Sequence, residues 1–157
     1  MENNYYCKEK LEQKGLRITP QRLSIFCFLS NTKSHPSAEN VYLEVRKQFP
    51  NISFDTVNRT MTCLFKNGLL KMVESGHGPR RYDANLKPHY HFRCLECKKI
   101  IDFESPEYDK IKIPEDVQKK FKIYNQKIIL EGICPDCLKK QAIKKSDFSE
   151  KDKLNKK

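Results

Sequence analysis

The sequence predicts an α+β protein with two parts: an N-terminal winged helix-turn-helix domain over residues 1–84 and a small C-terminal α/β domain over 85–140. Residues 141–157 form a Lys-rich, flexible tail. Three observations predict this. Capped stretches of helical periodicity open the chain and run into a strand-turn-strand pattern. The balance of charge changes near residue 83. Two Cys-x-x-Cys pairs bracket the second half. A length of 157 residues allows two small domains. A domain well below about 70 residues usually needs a staple besides its apolar core.

Thr19 followed by Pro20 is an N-cap and first-turn pair, after which Leu23, Ile25, Phe26 and Leu29 recur near helical spacing. Ser37 caps the next segment, through Phe49, with Val41, Tyr42, Val45 and Phe49 as its apolar stripe. Ser53 caps a third, in which Val57, Met61 and Leu64 face inward and Gly68 ends the helix. Leu69 to Glu74, a turn over Ser75 to Pro79, and Arg80 to Ala84 then read as the two strands of a wing. In such a fold the last helix enters the major groove. Its outward residues Asp55, Thr56, Asn58, Arg59, Thr62 and Lys66 are candidates for DNA contact, with Arg80 and Arg81 of the wing touching the phosphate backbone.

Charge agrees with this division. The net +11 is distributed as +6 over residues 1–82, zero over 83–138 and +5 over 139–157, and a basic front of this size suits a polyanion. A solvated basic surface accounts for the same charge equally well. No run of about 18 apolar residues exists, and the N-terminus lacks the pattern of a signal peptide, so a soluble, cytoplasmic protein with no membrane partner is expected.

In the second half, His89 to Arg93, Lys99 to Phe103 and Lys122 to Leu130 read as strands, and Pro114 to Phe121 as a helix. The strand carrying Ile123, Ile128, Ile129 and Leu130 is an edge that a second copy of the chain can pair with.

Seven cysteines in a reducing compartment favour metal over disulfides. Cys94-x-x-Cys97 and Cys134-x-x-Cys137 make two knuckles that together form a closed four-sulfur zinc site, stapling the domain across 36 intervening residues. A redox dithiol, or two unrelated pairs, are the alternatives. A closed site leaves no open position for a substrate, so its role is structural. Cys27 and Cys63 fall on helix faces that read as core, and Cys7 needs no role.

A second, looser constellation is His35, Asp83, His89, His91 and Asp102. His89 and His91 alternate on one strand face, Asp102 lies on the next strand, and His35 and Asp83 come from the first domain. Three imidazoles and two carboxylates suit a borderline divalent ion such as Fe2+, Mn2+ or Zn2+. Ligands drawn from two domains would make ion binding a switch. A purely structural His-x-His pair remains the alternative.

The stretches RITPQR at 17–22, His35-Pro36-Ser37-Ala38, TVNRTM at 56–61, RRYD at 80–83, HYHFRCLEC at 89–97 and ICPDC at 133–137 together resemble the ferric uptake regulator family over about residues 5–140. The first stretch adds Arg17 to the candidate DNA contacts. Within the family the chain is most similar to the peroxide-responsive branch, which carries aspartate at the position of Asp102. At the positions of a third metal site found in some members stand Pro88, Tyr90, Asp109 and Gln126, too few good ligands. Asn58 departs from the family, which commonly has tyrosine there.

The resemblance implies a homodimeric repressor of operator DNA, activated by Fe2+ or Mn2+. It also implies that peroxide, as a signal and not a substrate, acts through iron-catalysed oxidation of His35 and His89. The alternatives are an iron-uptake or zinc-uptake regulator of the same family, a zinc-ribbon interaction module, and a zinc hydrolase built on His89 and His91. The hydrolase leaves the basic front and the recognition-like helix unexplained and lacks a general base, so no enzyme is expected.

Overall fold

The computed structural model describes residues 2–73, 78–124 and 126–143. The chain divides into two compact units, Met1–Pro88 and the chain from His89 onward. Each has its own core.

The first unit is a four-helix winged fold: α1 (Glu2–Gln13), α2 (Pro20–Asn31), α3 (Ala38–Val45), α4 (Phe54–Lys66), then β1 (Lys71–Val73) and β2 (Arg81–Asp83). The expected caps are in place. Thr19 accepts from the backbone of Arg22, Ser37 forms a capping box with Asn40, and Ser53 accepts from Thr56. Ile25, Phe26, Leu29, Val41, Val45, Val57, Met61 and Leu64 fill the core, with Leu23, Tyr42 and Phe49 packed against it. α3 is shorter than its periodicity predicts. Beyond Val45 the chain tightens into i→i+3 bonds, Lys47 to Glu44 and Gln48 to Val45, ahead of Pro50, although Phe49 still reaches the core.

α1 is a helix that periodicity did not reveal. Among its described side chains Cys7 and Leu11 are the buried ones, too thin a stripe to detect, and polar pairs such as Lys8–Glu12 and Gln13–Glu9 lie on the exposed side. It closes on Gly15 at φ 64°, with Leu16 N–H donating to the Leu11 carbonyl and Gly15 N–H to that of Glu12. α4 ends the same way on Gly68.

β1 and β2 pair antiparallel, with Lys71 opposite Asp83, Met72 opposite Tyr82 and Val73 opposite Arg81. The expected wing turn falls largely on residues 74–77, outside the described residues.

The second unit is a three-stranded sheet, β3 (Tyr90–Cys94), β4 (Ile100–Phe103) and β5 (Ile129–Gly132), in the order β4-β3-β5, with short helices α5 (Pro106–Asp109) and α6 (Glu115–Lys120). β3 pairs antiparallel with β4 and parallel with β5. The strand expected over Lys122 to Leu130 is confined to its end and runs on to Gly132. Ile129 pairs with His91, the second residue of β3, so little of that strand remains for the residues before Ile129 to pair with. A helical stretch over 135–143 begins between the two cysteines of the second pair and carries Cys137, and the expected tail lies mostly outside the described residues. Among the described residues no helix is long and apolar enough to cross a membrane.

Candidate functional site

The four cysteines of the Cys-x-x-Cys pairs come together. β3 ends at Cys94, opposite Gly132 at the end of β5, so parallel pairing brings the knuckle after β3 beside the one after β5. Leu95 N–H donates to the Gly132 carbonyl, and Cys134 N–H donates to Cys94 Sγ at 3.3 Å. The sulfurs all lie within 4.8 Å of one another, with Cys94–Cys137 at 3.9 Å and Cys97–Cys134 at 3.8 Å. A zinc ion about 2.3 Å from four tetrahedral sulfurs sets them about 3.8 Å apart, whereas a disulfide needs about 2.0 Å. The donor set and its edges therefore fit a closed zinc site. The backbone N–H groups of Cys134, Cys97 and Glu96 pull the Cys94 thiol down to about 6, while burial and the neighbouring thiols push Cys137 up to about 12. Burial thus disfavours a second negative charge beside the first; a divalent cation would favour the thiolate form of both. These cysteines are also most of the unit's core: Cys94, Cys134 and Cys137 are its buried cluster, with Phe92 and Ile101 packed against them.

The other five predicted ligands fall in two groups, one in each unit. In the first unit, His35 is buried at 2% exposure and Asp83 at 6%, and His35 Nε2 faces Asp83 Oδ2 at 4.0 Å. The remaining carboxylate oxygen of Asp83, Oδ1, accepts from Asn85 N–H at 2.7 Å. His35 has φ 49°, in the left-handed region that a residue with a Cβ seldom occupies. β2 holds it there: Arg81 Nη1 donates to the His35 carbonyl at 3.3 Å, Tyr82 N–H donates to that of Pro36 at 3.2 Å, and Ser37 bridges to Arg81. One strand thus supplies both Asp83 and the groups that fix the backbone of His35.

In the second unit, His89 precedes β3, His91 lies on it, and Asp102 stands directly opposite His91 on β4. The Nε2 atoms of the two histidines are 3.0 Å apart, and Asp102 Oδ1 lies 3.6 Å from His89 Nε2 and 3.4 Å from His91 Nε2. Ligands about 2.1 Å from one ion and 90–110° apart are separated by about 3.0–3.4 Å, so these donors are spaced to share a divalent ion. Of the positions matching a third site, Tyr90 donates its hydroxyl to Asp109 Oδ1 at 2.6 Å, while Pro88 and Gln126 are exposed.

Of the candidate DNA contacts, Arg17, Asp55, Asn58, Arg59, Lys66 and Arg80 are exposed, and Thr56 and Thr62 are half-buried on the same helix. Arg81 has a second bond to explain. Its hold on the His35 carbonyl, between residues 46 positions apart, left no local signal in the sequence. Cys27 is half-buried, its thiol donates to Asn4 Oδ1, and burial pushes it up to about 12, so it lacks the thiolate that reactivity requires.

The model of the Ferric uptake regulator family matches residues 13–152. The chain is 35% identical to the Peroxide operon regulator of Bacillus subtilis (strain 168) over 133 residues, 85% of this chain and 92% of that one. It is 33% identical to the Peroxide-responsive repressor PerR of Staphylococcus aureus (strain Mu50) over 127 residues, 81% of this chain and 86% of that one. Among solved structures, the Helicobacter pylori ferric uptake regulator Fur, described as having three functional metal binding sites, superposes with TM-score 0.70 at 26% identity, covering 87% of this chain and 92% of the other.

Proposed function

This chain belongs to the ferric uptake regulator family, and we propose that within it the chain is a homodimeric, metal-activated repressor that binds operator DNA and senses peroxide. It works in the cytoplasm and turns over no substrate. The reading draws support from relatives named as peroxide regulators and from the exposed outer face of α4. The observation that carries it is the pair of donor clusters, the buried His35 with Asp83 and the half-buried His89 with His91 and Asp102.

In this reading Cys94, Cys97, Cys134 and Cys137 hold zinc permanently and shape the second unit. His35, Asp83, His89, His91 and Asp102 jointly hold one removable Fe2+ or Mn2+, so the ion links the two units in the state that fits a duplex. Ferrous iron supplies one-electron reduction of peroxide at that position, a reaction manganese performs poorly. His35 and His89 are the ring groups that take up the oxygen: a ring C–H becomes C=O, a ring nitrogen gains a proton, and water is the other product. An oxidised ring is a poorer nitrogen donor, and losing one ligand frees the ion and releases DNA. The edge strand β5, with Leu130 exposed, is the surface offered to a second copy.

Anaerobic protein loaded with iron and treated with a small excess of peroxide is expected to gain about one oxygen atom on a peptide containing His35 or His89, and manganese-loaded protein none. Mass spectrometry paired with gel-shift checks this. Loss of DNA binding with both peptides unmodified defeats the sensing mechanism. Loss of DNA binding on removing the second metal, with the four-thiol zinc retained, separates a metal sensor from a zinc-ribbon module.

A further inference from the structure

We propose that Asn58 is the base-reading side chain of α4 and that the base it reads is adenine. This rests on the DNA-binding reading above and deepens it, by assigning a specificity-determining residue and the chemistry of its target.

α4 turns Val57, Thr60, Met61 and Leu64 into the core, so Asp55, Asn58, Arg59, Thr62 and Lys66 share the outward side. Arg would ordinarily be the strongest candidate here, because its guanidinium matches the two acceptors of guanine. On this helix Arg59 is not alone. Asp55, one turn earlier, faces it at 3.7 Å, with the two side chains 73% and 81% exposed. Such a pair is weak in water and screened by salt. It nevertheless biases the guanidinium along the helix toward the N-terminus, and Arg59 there offsets the repulsion that a lone Asp55 carboxylate would feel from phosphates. This suits Arg59 to a backbone contact. Thr62 turns its hydroxyl inward, with Oγ1 donating to the Asn58 carbonyl at 2.9 Å.

Asn58 differs from both. It is exposed, lies between Asp55 and Thr62 on the outward side, and among the described residues no side chain hydrogen-bonds to its carboxamide. An amide presents a donor and an acceptor side by side, the complement of the adenine N7 acceptor and N6 donor in the major groove. Guanine offers N7 and O6, both acceptors, and so sets an oxygen against the amide oxygen. The side chain is also short, with little rotamer freedom to lose on contact.

The test uses the full chain loaded with zinc and manganese and a library of random-sequence duplexes. The wild type is expected to select an A·T pair at a fixed position in each half of its site. Asn58→Ala should lose about tenfold in preference at that position alone, with unchanged salt dependence and unchanged zinc content. Independently of any variant, replacing the selected adenine by 7-deazaadenine, which lacks N7, should weaken wild-type binding by a similar factor and leave Asn58→Ala indifferent. The proposal is overturned if Asn58→Ala selects the same sequence with undiminished preference, if the position it loses is a G·C pair, or if 7-deazaadenine has no effect on the wild type. Should the wild type select no sequence at all in manganese, the DNA-binding reading fails first and this one with it.

Discussion

Tyr90 lies between His89 and His91 in sequence but belongs to a different neighbourhood, since alternation along β3 sends it to the other face of the sheet. Its ring packs against Phe103 and Tyr108, with centroids 5.7 and 5.4 Å away, and its hydroxyl donates to Asp109. The hydrogen bond to the carboxylate is the main reason its ionisation is pushed up from 10 to about 12. The folded state thus holds this proton more tightly than the unfolded chain, so the pair stabilises the fold below pH about 10, and the contribution is lost as pH rises towards 12. Asp109→Ala is expected to bring the titration back towards 10, followed by NMR of ring-labelled tyrosine. An unmoved midpoint would show that Asp109 is not the cause.

Among the elements, β2 concentrates the most consequences in the fewest residues. Arg81 and Tyr82 fix the backbone at His35 and Pro36, and Asp83 is the carboxylate that His35 faces. Removing an outer partner of a ligand commonly weakens metal binding by about 10–100-fold. Arg81→Ala is expected to weaken Mn2+ binding by about tenfold at the least, with faster amide exchange at residues 35–37 and little change in melting temperature; Arg81→Lys should recover part of the affinity. Equal manganese affinity in all three proteins would reduce Arg81 to a surface residue. At the end of α4, Gly68 adopts φ 70° while a Cβ there would meet nothing nearer than Lys14 Nζ at 4.0 Å. The cost of Gly68→Ala is thus conformational, about 1–2 kcal/mol, measurable by urea unfolding. Gly68→Asn should cost less, because asparagine tolerates this conformation better.

For the molecule as a whole, the two units are held by different means. The first has a continuous apolar core contributed by all four helices, whereas most of the buried cluster of the second is thiols. Stripping zinc with a strong chelator is expected to unfold the second unit while the helical circular dichroism of the first persists; cooperative loss of both would contradict this division. The same contrast explains what the sequence made legible. The Cys pairs, the His-x-His and the caps at Thr19, Ser37 and Ser53 are local patterns whose chemistry dictates their use, and each is found in the arrangement its own spacing requires. α1 escapes a periodicity reading because, among its described side chains, Cys7 and Leu11 alone are buried. α5 is a single turn, and the start of β5 depends on where β3 begins, some 40 residues earlier. Arg81 reads as a DNA contact from its place in the wing, and nothing near it in sequence reveals that it also bonds to His35. Interactions between distant residues are what a reading by windows cannot supply.

The parallel pairing of β3 with β5 also imposes an order of events during synthesis. A strand cannot lie parallel to another until the connecting segment has been made, and the last two thiols follow β5 itself. The helical front of the chain, rich in near-neighbour contacts, can condense while the ribosome is still producing the rest. Zinc capture is therefore a late step of maturation, and until it occurs the nascent protein exposes the unfinished edges of its second half.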